Sequence, residues 1–184
     1  MIIEDIKYKL KDGREITLRS PKEEDIESII EYLIVTAGET DFLMNYPEEW
    51  EKRLTVEGEK ELIDRYNSSL NDVMIVCDYN GKIIGNCSLN RYRSLKTRHR
   101  ASLGIAIIKE FWGQGIGSRL FDELIKISKG LEGLTQLELD YIEGNERGAS
   151  LYKKKGFEVV SYKPNAIRLK DGTLLKEYSM IKEL

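Results

Sequence analysis

Three alternate glycines carry the first chemical signal: Gly113, Gly115 and Gly117, in the run Gly113-Gln114-Gly115-Ile116-Gly117-Ser118. An apolar stretch, Leu103 to Ile108, leads into them, and an amphipathic stretch follows. Glycines let a backbone approach a ligand closely and turn several N–H groups the same way. At the start of a helix those N–H groups have no internal acceptor and sit at the positive end of the dipole. A phosphate or diphosphate is the guest such a cradle suits. The same pattern also describes a strand-to-helix turn that binds nothing, so it needs support from elsewhere in the chain. Two familiar phosphate loops do not fit. No Lys follows the last glycine, as a G-x-x-x-x-G-K-[ST] loop requires, and the third glycine comes one residue too early for G-x-G-x-x-G.

The elements that must position this loop are legible around it. Ile116, Leu120, Leu124 and Ile127 recur at helical spacing, with Arg119, Asp122, Glu123 and Lys126 opposite and Gly130 as the stop. Upstream, residues 2–10 and 15–19 read as strands about the turn Lys11-Asp12-Gly13-Arg14. Ser20-Pro21-Lys22-Glu23 reads as a helix start, and Gly38 as that helix's end. A second helix is expected from Pro47 to about Ser68, bent at Gly58. Val73–Cys77 and Ile83–Leu89 are expected to form a hairpin on Asn80-Gly81. A two-residue turn there pairs Cys77 with Ile84 and Met74 with Cys87. That register sets Cys77 and Cys87 on opposite faces, as two free thiols. Strands are further expected at Gln136–Tyr141, Phe157–Tyr162 and Thr173–Lys182, with a short helix closed by Gly156 between the first two.

That short helix belongs to a second motif, Asn145-Glu-Arg-Gly-Ala-Ser-Leu-Tyr152-Lys-Lys-Lys-Gly156-Phe157. A plain helix with a glycine cap accounts for Gly156, but not for Asn, Leu-Tyr and Gly-Phe at these spacings behind a glycine loop. The two motifs together resemble those of the GCN5-related N-acetyltransferase (GNAT) family. Its coenzyme motif, [RQ]-x-x-G-x-[GA], has Gly115 and Gly117 on the small positions and Trp112 at the first. Its second, N-x-x-A-x-x-L-Y-x-x-x-G-F, matches Asn145, Leu151, Tyr152, Gly156 and Phe157, with Gly148 at the Ala position. The order of elements also fits, so the resemblance covers nearly the whole chain. It implies one α/β (α+β) domain over residues 1–184. Its sheet is mixed and mostly antiparallel, of six to seven strands, flanked by about four helices and splayed between strands 4 and 5.

The resemblance implies direct acetyl transfer from acetyl-CoA to an amine, with no covalent enzyme intermediate. The diphosphate falls to the backbone from Trp112 through Gly113, Gln114, Gly115, Ile116, Gly117 and Ser118. The pantetheine arm lies along Ile105, Ala106 and Ile107 like an added strand, and an N–H near Ile107 polarises the thioester carbonyl. Asn145 bonds the pantetheine. Tyr152 serves as the acid that gives its proton to the departing thiolate, on the comparison of a phenol at ~10 with a thiol at ~8.5. Many relatives carry Glu as general base at the position of Ser102, which cannot do that work. Glu39, Asp41 or Glu143, or a chain of waters, would have to replace it. The segment Glu39-Thr40-Asp41-Phe42 reads either as a helix connector or as the acceptor-facing loop of the family.

Composition narrows the alternatives. The chain has 184 residues, 41 % hydrophobic and 33 % charged, enough for one sizeable core. A net charge of −3 argues against a general nucleic-acid surface, although Arg91–Arg100 is basic and contains Tyr92. That loop reads as solvated, as a partner for coenzyme phosphates, or as an RNA contact. No run approaches a membrane span and no signal-peptide core opens the chain, so a cytoplasmic protein is expected. His99 is the only histidine and no ligand-spaced cluster occurs, so no metal is expected. A homodimer is what the family suggests. The competing reading is a non-catalytic acyl-CoA sensor or interaction module on the same fold.

Overall fold

The computed structural model describes residues 1–184. Asn80 and Gly81, with φ of 52° and 82°, turn β3 (Val73–Tyr79) back into β4 (Lys82–Arg91) as the sequence predicts. The register is not the predicted one. Tyr79 pairs Lys82 and Asp78 pairs Ile83, but a bulge at Cys77/Asp78 then sets Cys77 opposite Gly85 and Ile75 opposite Cys87. One extra residue flips every later side chain. Cys77 and Cys87 therefore share a face, and both are free and buried in the same core.

Eight strands make one sheet, in place of the six or seven expected, in the order β1-β2-β3-β4-β5-β6-β8-β7. The remaining strands are β1 (Ile6–Lys9), β2 (Glu15–Arg19), β5 (Arg100–Ile107), β6 (Gln136–Ile142), β7 (Glu158–Arg168) and β8 (Leu174–Glu183). The added strand is short β1, paired with β2 at one edge; at the other edge β7 is longer than expected. All neighbours are antiparallel except β5 and β6.

Five α-helices, rather than about four, cover the two faces: α1 (Ile26–Glu39), α2 (Pro47–Arg53), α3 (Val56–Ser68), α4 (Ile116–Lys129) and α5 (Glu146–Lys154). The extra one arises because the expected Pro47–Ser68 helix breaks at Leu54-Thr55, not at Gly58. Both residues are extended, and the Thr55 hydroxyl accepts the Gly58 N–H at 3.0 Å. That cap starts a new helix and satisfies an orphan donor. The start of α1 also differs. Ser20 accepts the Ile3 N–H instead of capping, and Asp25 takes the Lys22 N–H at 2.7 Å across a 3-10 turn.

One face, here the back, packs Leu18, Ile75, Leu103 and Leu137 under Ile116, Leu120, Phe121 and Leu124 of α4 and Tyr152 of α5. The front packs Met74, Val76 and Ile83 under Ile26, Ile29 and Tyr32 of α1 and Ile63 and Tyr66 of α3.

Candidate active site

The parallel ladder between β5 and β6 is short. It pairs Arg100 with Gln136, Ala101 with Leu137 and Ser102 with Glu138, and then the strands part. Strand parity says what the parting exposes. The Tyr92 N–H bonds the Arg100 C=O and the Ile108 N–H bonds the Ile84 C=O. Both lie in register with the β4–β5 pairs, so Ser102, Gly104 and Ala106 turn their peptide groups toward β4; Ala106, whose C=O also accepts the Tyr32 hydroxyl at 2.9 Å, therefore does not offer its backbone to the pantetheine as expected. Leu103, Ile105 and Ile107 turn theirs toward β6; the Leu103 N–H is the last that the ladder uses, and past it β6 has moved away. On β6, Glu143 bonds Lys176 and the Leu184 N–H bonds the Thr135 C=O, so the odd residues face β8. The peptide groups of Asp140 and the N–H of Ile142 face the gap; the Ile142 C=O accepts the Asn145 N–H at 3.1 Å. Two strand edges thus line one slot, and a linear chain of amides fits it as a strand would.

The slot ends at the glycine loop. Gly115, at φ 91°, is the N-cap of α4, and the Arg119 N–H is the first to find an intrahelical acceptor, the Gly115 C=O at 3.1 Å. The N–H groups of Ile116, Gly117 and Ser118 have no helical partner. A side chain at 115 would be strained, and its Cβ would stand 2.7 Å from the Tyr8 hydroxyl. Gly117 does something else. A Cβ there would lie 3.0 Å from Leu151 and 3.7 Å from both Ile105 and Ile107, so its smallness lets α4 close on α5 and β5. Ile116 is buried and offers only backbone.

Two neighbours of the loop are working parts of the fold. The Trp112 indole donates to the Ile107 C=O at 2.7 Å, and the Gln114 side chain accepts the Asp12 N–H at 3.2 Å. Sequence reasoning missed two others. Tyr8 arrives from β1, and the Arg147 guanidinium stacks 4.9 Å from the Trp112 ring centroid, 3.6 Å from where a Gly113 Cβ would lie. Arg147 sits two residues past the motif Asn145, and only the fold brings it to the cradle.

Asn145 caps α5: its side-chain oxygen accepts the Gly148 N–H at 3.0 Å, which leaves its NH2 for a ligand. Tyr152 packs against Phe121 and Tyr141, with ring centroids 5.4 and 6.2 Å away. Its hydroxyl has no protein partner, yet it is not among the buried unpartnered atoms, so it opens to solvent. Burial pushes its phenol up to about 12. Transfer from a phenol to a thiolate already runs uphill at their ordinary values of ~10 and ~8.5, at about 1.4 kcal/mol per unit, and burial steepens it. This corrects the expected outright donation: a phenol held protonated is a hydrogen-bond donor to sulfur.

The loop between α1 and α2 closes over the mouth of the slot. Phe42 lies against Gly144, 3.3 Å from where a Cβ would stand. Glu39 accepts the Lys109 N–H at 2.7 Å, so it anchors that loop instead of offering a free charge. Glu143 is held by Lys176, which keeps its carboxyl below the usual range. Asp41 is exposed at the rim. The tip of the β7–β8 hairpin reaches the same rim, where Lys170 bonds Glu48 at 2.5 Å and stacks on Tyr46. The basic loop Arg91–Arg100 joins β4 to β5 at the far end of β5, roughly 25 Å of strand from the glycine loop. It therefore does not serve a phosphate there. No group of three or more His, Cys, Asp or Glu side chains is placed to hold a metal ion, and no helix is long and apolar enough to cross a membrane.

A model of the acetyltransferase (GNAT) family matches residues 39–157. The L-amino acid N-acetyltransferase AaaT of Escherichia coli (strain K12) is 25 % identical over 85 residues, 46 % of this chain and 52 % of that protein. The match thus spans about half the length of that curated relative. The structure of an acetyltransferase of the GNAT family from Streptococcus pneumoniae superposes with a TM-score of 0.85 at 26 % identity, covering 92 % of this chain and 99 % of that one. A phosphinothricin acetyltransferase from Sinorhizobium meliloti, in complex with acetyl-CoA, shares the fold at a TM-score of 0.78 and 20 % identity, over 92 % and 88 % of the two chains.

Proposed function

The chain belongs to the acetyltransferase (GNAT) family, and from that premise we propose that it moves the acetyl group of acetyl-CoA directly onto an amine. The observation that carries this reading is the parting of β5 and β6 after Ser102 and Glu138, with the Ile105 and Ile107 N–H groups on one edge and the Asp140 peptide on the other turned into the gap, and a glycine-capped helix at the end. The amides from Gly113 to Ser118 hold the diphosphate, and Arg147 adds a cation beside them. The Ile105 and Ile107 N–H groups hold the pantetheine, helped by the Asn145 NH2, and one of them polarises the thioester carbonyl. Tyr152 donates a hydrogen bond to sulfur as the C–S bond breaks. Holding thioester and amine together contributes about 7–11 kcal/mol.

The acceptor is a small amine, such as the α-amine of an amino acid, or the terminus of a chain. The curated relative is an L-amino acid N-acetyltransferase, and the β7–β8 tip bound to α2 narrows the entrance. Glu39 shapes the acceptor loop from its bond to Lys109, while Asp41 and Phe42 face the acceptor at the rim. The whole chain acts as one domain. It works in the cytoplasm, which two buried free thiols favour. It pairs as a homodimer along β7, an edge strand whose Val159, Val160 and Tyr162 are exposed.

Thiol release from acetyl-CoA, read across amino acids, polyamines, aminoglycosides and peptide N-termini, tests the activity. Tight binding of acetyl-CoA without release for any amine would favour a sensor instead. Light scattering at several concentrations tests the dimer.

A further inference from the structure

Of the carboxylates first considered, Glu39 and Glu143 are engaged, and Asp41 is an exposed residue of the loop between α1 and α2, off the strands that line the slot. Strand geometry offers another. Asp140 is the first residue of β6 past the last pair with β5 whose side chain stands on the front face, and its own peptide groups face the slot. An extended arm of roughly 15 Å spans four to five strand residues at ~3.3 Å each. Running back from the glycine loop along Ile107, it sets the reacting carbon beside Leu103–Ile105, level with Asp140. The front face here has no helix over it. A cavity of about 430 Å³ opens on it, with Ser102, Glu138, Asp140 and Ser179 in its wall.

The charges around Asp140 single it out. Glu138 is paired with Arg100 at 2.8 Å and takes the Tyr92 hydroxyl at 3.2 Å. On β8 and β7, Glu177 faces Lys163 at 3.6 Å. Asp140 has no cation within 4.0 Å; its one side-chain partner is the Ser179 hydroxyl, which donates at 2.6 Å. That bond orients the carboxylate and leaves its charge uncompensated at an open cavity.

We propose that Asp140, oriented by Ser179, collects the acceptor's ammonium group on the front of the sheet and carries its protons away. This rests on the acetyl-transfer reading. The ammonium loses one proton through the carboxylate to water. The nitrogen lone pair forms the C–N bond as the C–S bond breaks, and sulfur keeps that bond's electron pair. The second nitrogen proton, now acidic, also leaves through Asp140. One of the two protons ends on sulfur and one in solvent. Amine and Tyr152 then act on opposite faces of the thioester.

The test compares the wild type with Asp140→Asn, Asp140→Glu and Ser179→Ala, using acetyl-CoA and the best amine of the panel. Asp140→Asn should lose about 10²- to 10⁴-fold in kcat/KM for the amine, with acetyl-CoA affinity by calorimetry unchanged. Asp140→Glu should recover part of the loss, and Ser179→Ala should lose less than tenfold. Wild-type turnover in Asp140→Asn, or a matching loss of acetyl-CoA affinity, overturns the assignment and leaves acetyl transfer intact. A wild type that binds acetyl-CoA but releases no thiol for any amine overturns both.

Discussion

Ser102 and Glu138 are the last residues that β5 and β6 share, and everything the site offers lies beyond that pair. Before it the strands satisfy one another. After it the Leu103 C=O, the Ile105 and Asp140 peptide groups and the N–H groups of Ile107 and Ile142 face a slot between two edges. An unpaired edge inside a sheet is costly unless something fills it. The slot is built for a partner chain of amides, and the glycine loop at its end tells which kind.

Tyr152→Phe keeps the ring against Phe121 and Tyr141 and removes the hydrogen-bond donor. Turnover should fall roughly 10- to 1000-fold with acetyl-CoA affinity kept within a factor of two or so. Steady-state rates beside calorimetry decide it, and unchanged turnover removes Tyr152 from the reaction.

The same phenol sets an alkaline limit. Burial raises it from 10.0 to about 12 in the folded chain. Below about pH 10 both states are protonated and its contribution is complete. As pH climbs from there toward 12 the unfolded chain ionises first, and stability is lost. Urea midpoints should therefore fall over that window in the wild type, and less steeply in Tyr152→Phe. Buried Tyr32, also pushed up by burial, remains in both proteins.

Gly115→Ala places a Cβ at positive φ and 2.7 Å from the Tyr8 hydroxyl. It should cost about 1–2 kcal/mol from the backbone alone, seen as a lower thermal midpoint. Tyr8→Phe combined with it should recover the clash but not the strain. Gly115→Asp adds a charge in the cradle and should abolish acetyl-CoA binding by calorimetry.

Arg147→Ala should weaken acetyl-CoA binding about tenfold or more, the range of one charge-assisted hydrogen bond. Trp112→Phe removes the indole bond to Ile107 and should weaken it less, with the stack on Arg147 partly kept. If Arg147→Ala binds acetyl-CoA as the wild type does, Arg147 is a packing residue only.

Away from the site, Arg19 bridges Asp25 at 2.7 Å and Asp78 at 2.8 Å, with side chains of Arg19 and Asp25 only 5 % exposed. Burial alone would raise the Asp25 carboxyl; the Arg19 guanidinium and the Lys22 N–H outweigh it and hold it below the usual range. Its contribution is complete above the ordinary carboxylate value and is lost as pH falls through the depressed one. Arg19→Met leaves Asp25 buried without its cation and should cost about 3–5 kcal/mol. Chemical denaturation at neutral pH measures it.

The primary sequence by itself determined what is decided by neighbours along the chain. Ile116, Leu120 and Leu124 at helical spacing behind Gly115 make α4 and its capped start, and Asn80-Gly81 makes the β3–β4 turn, because both depend on a few consecutive dihedrals. The Asn145–Phe157 motif placed α5 and its glycine stop for the same reason. Tertiary structure decided what depends on distant partners. The bulge at Cys77 reversed the faces of the two cysteines, since register is fixed by what each face must bury. The parting of β5 from β6 follows from how β8 holds β6 and β4 holds β5, contacts separated by tens of residues. Tyr8 over Gly115, Arg147 over Trp112 and Asp140 in the open cavity are products of the same packing. A pattern in sequence can specify which peptide groups lack partners within a helix; only the assembled sheet specifies which lack partners altogether.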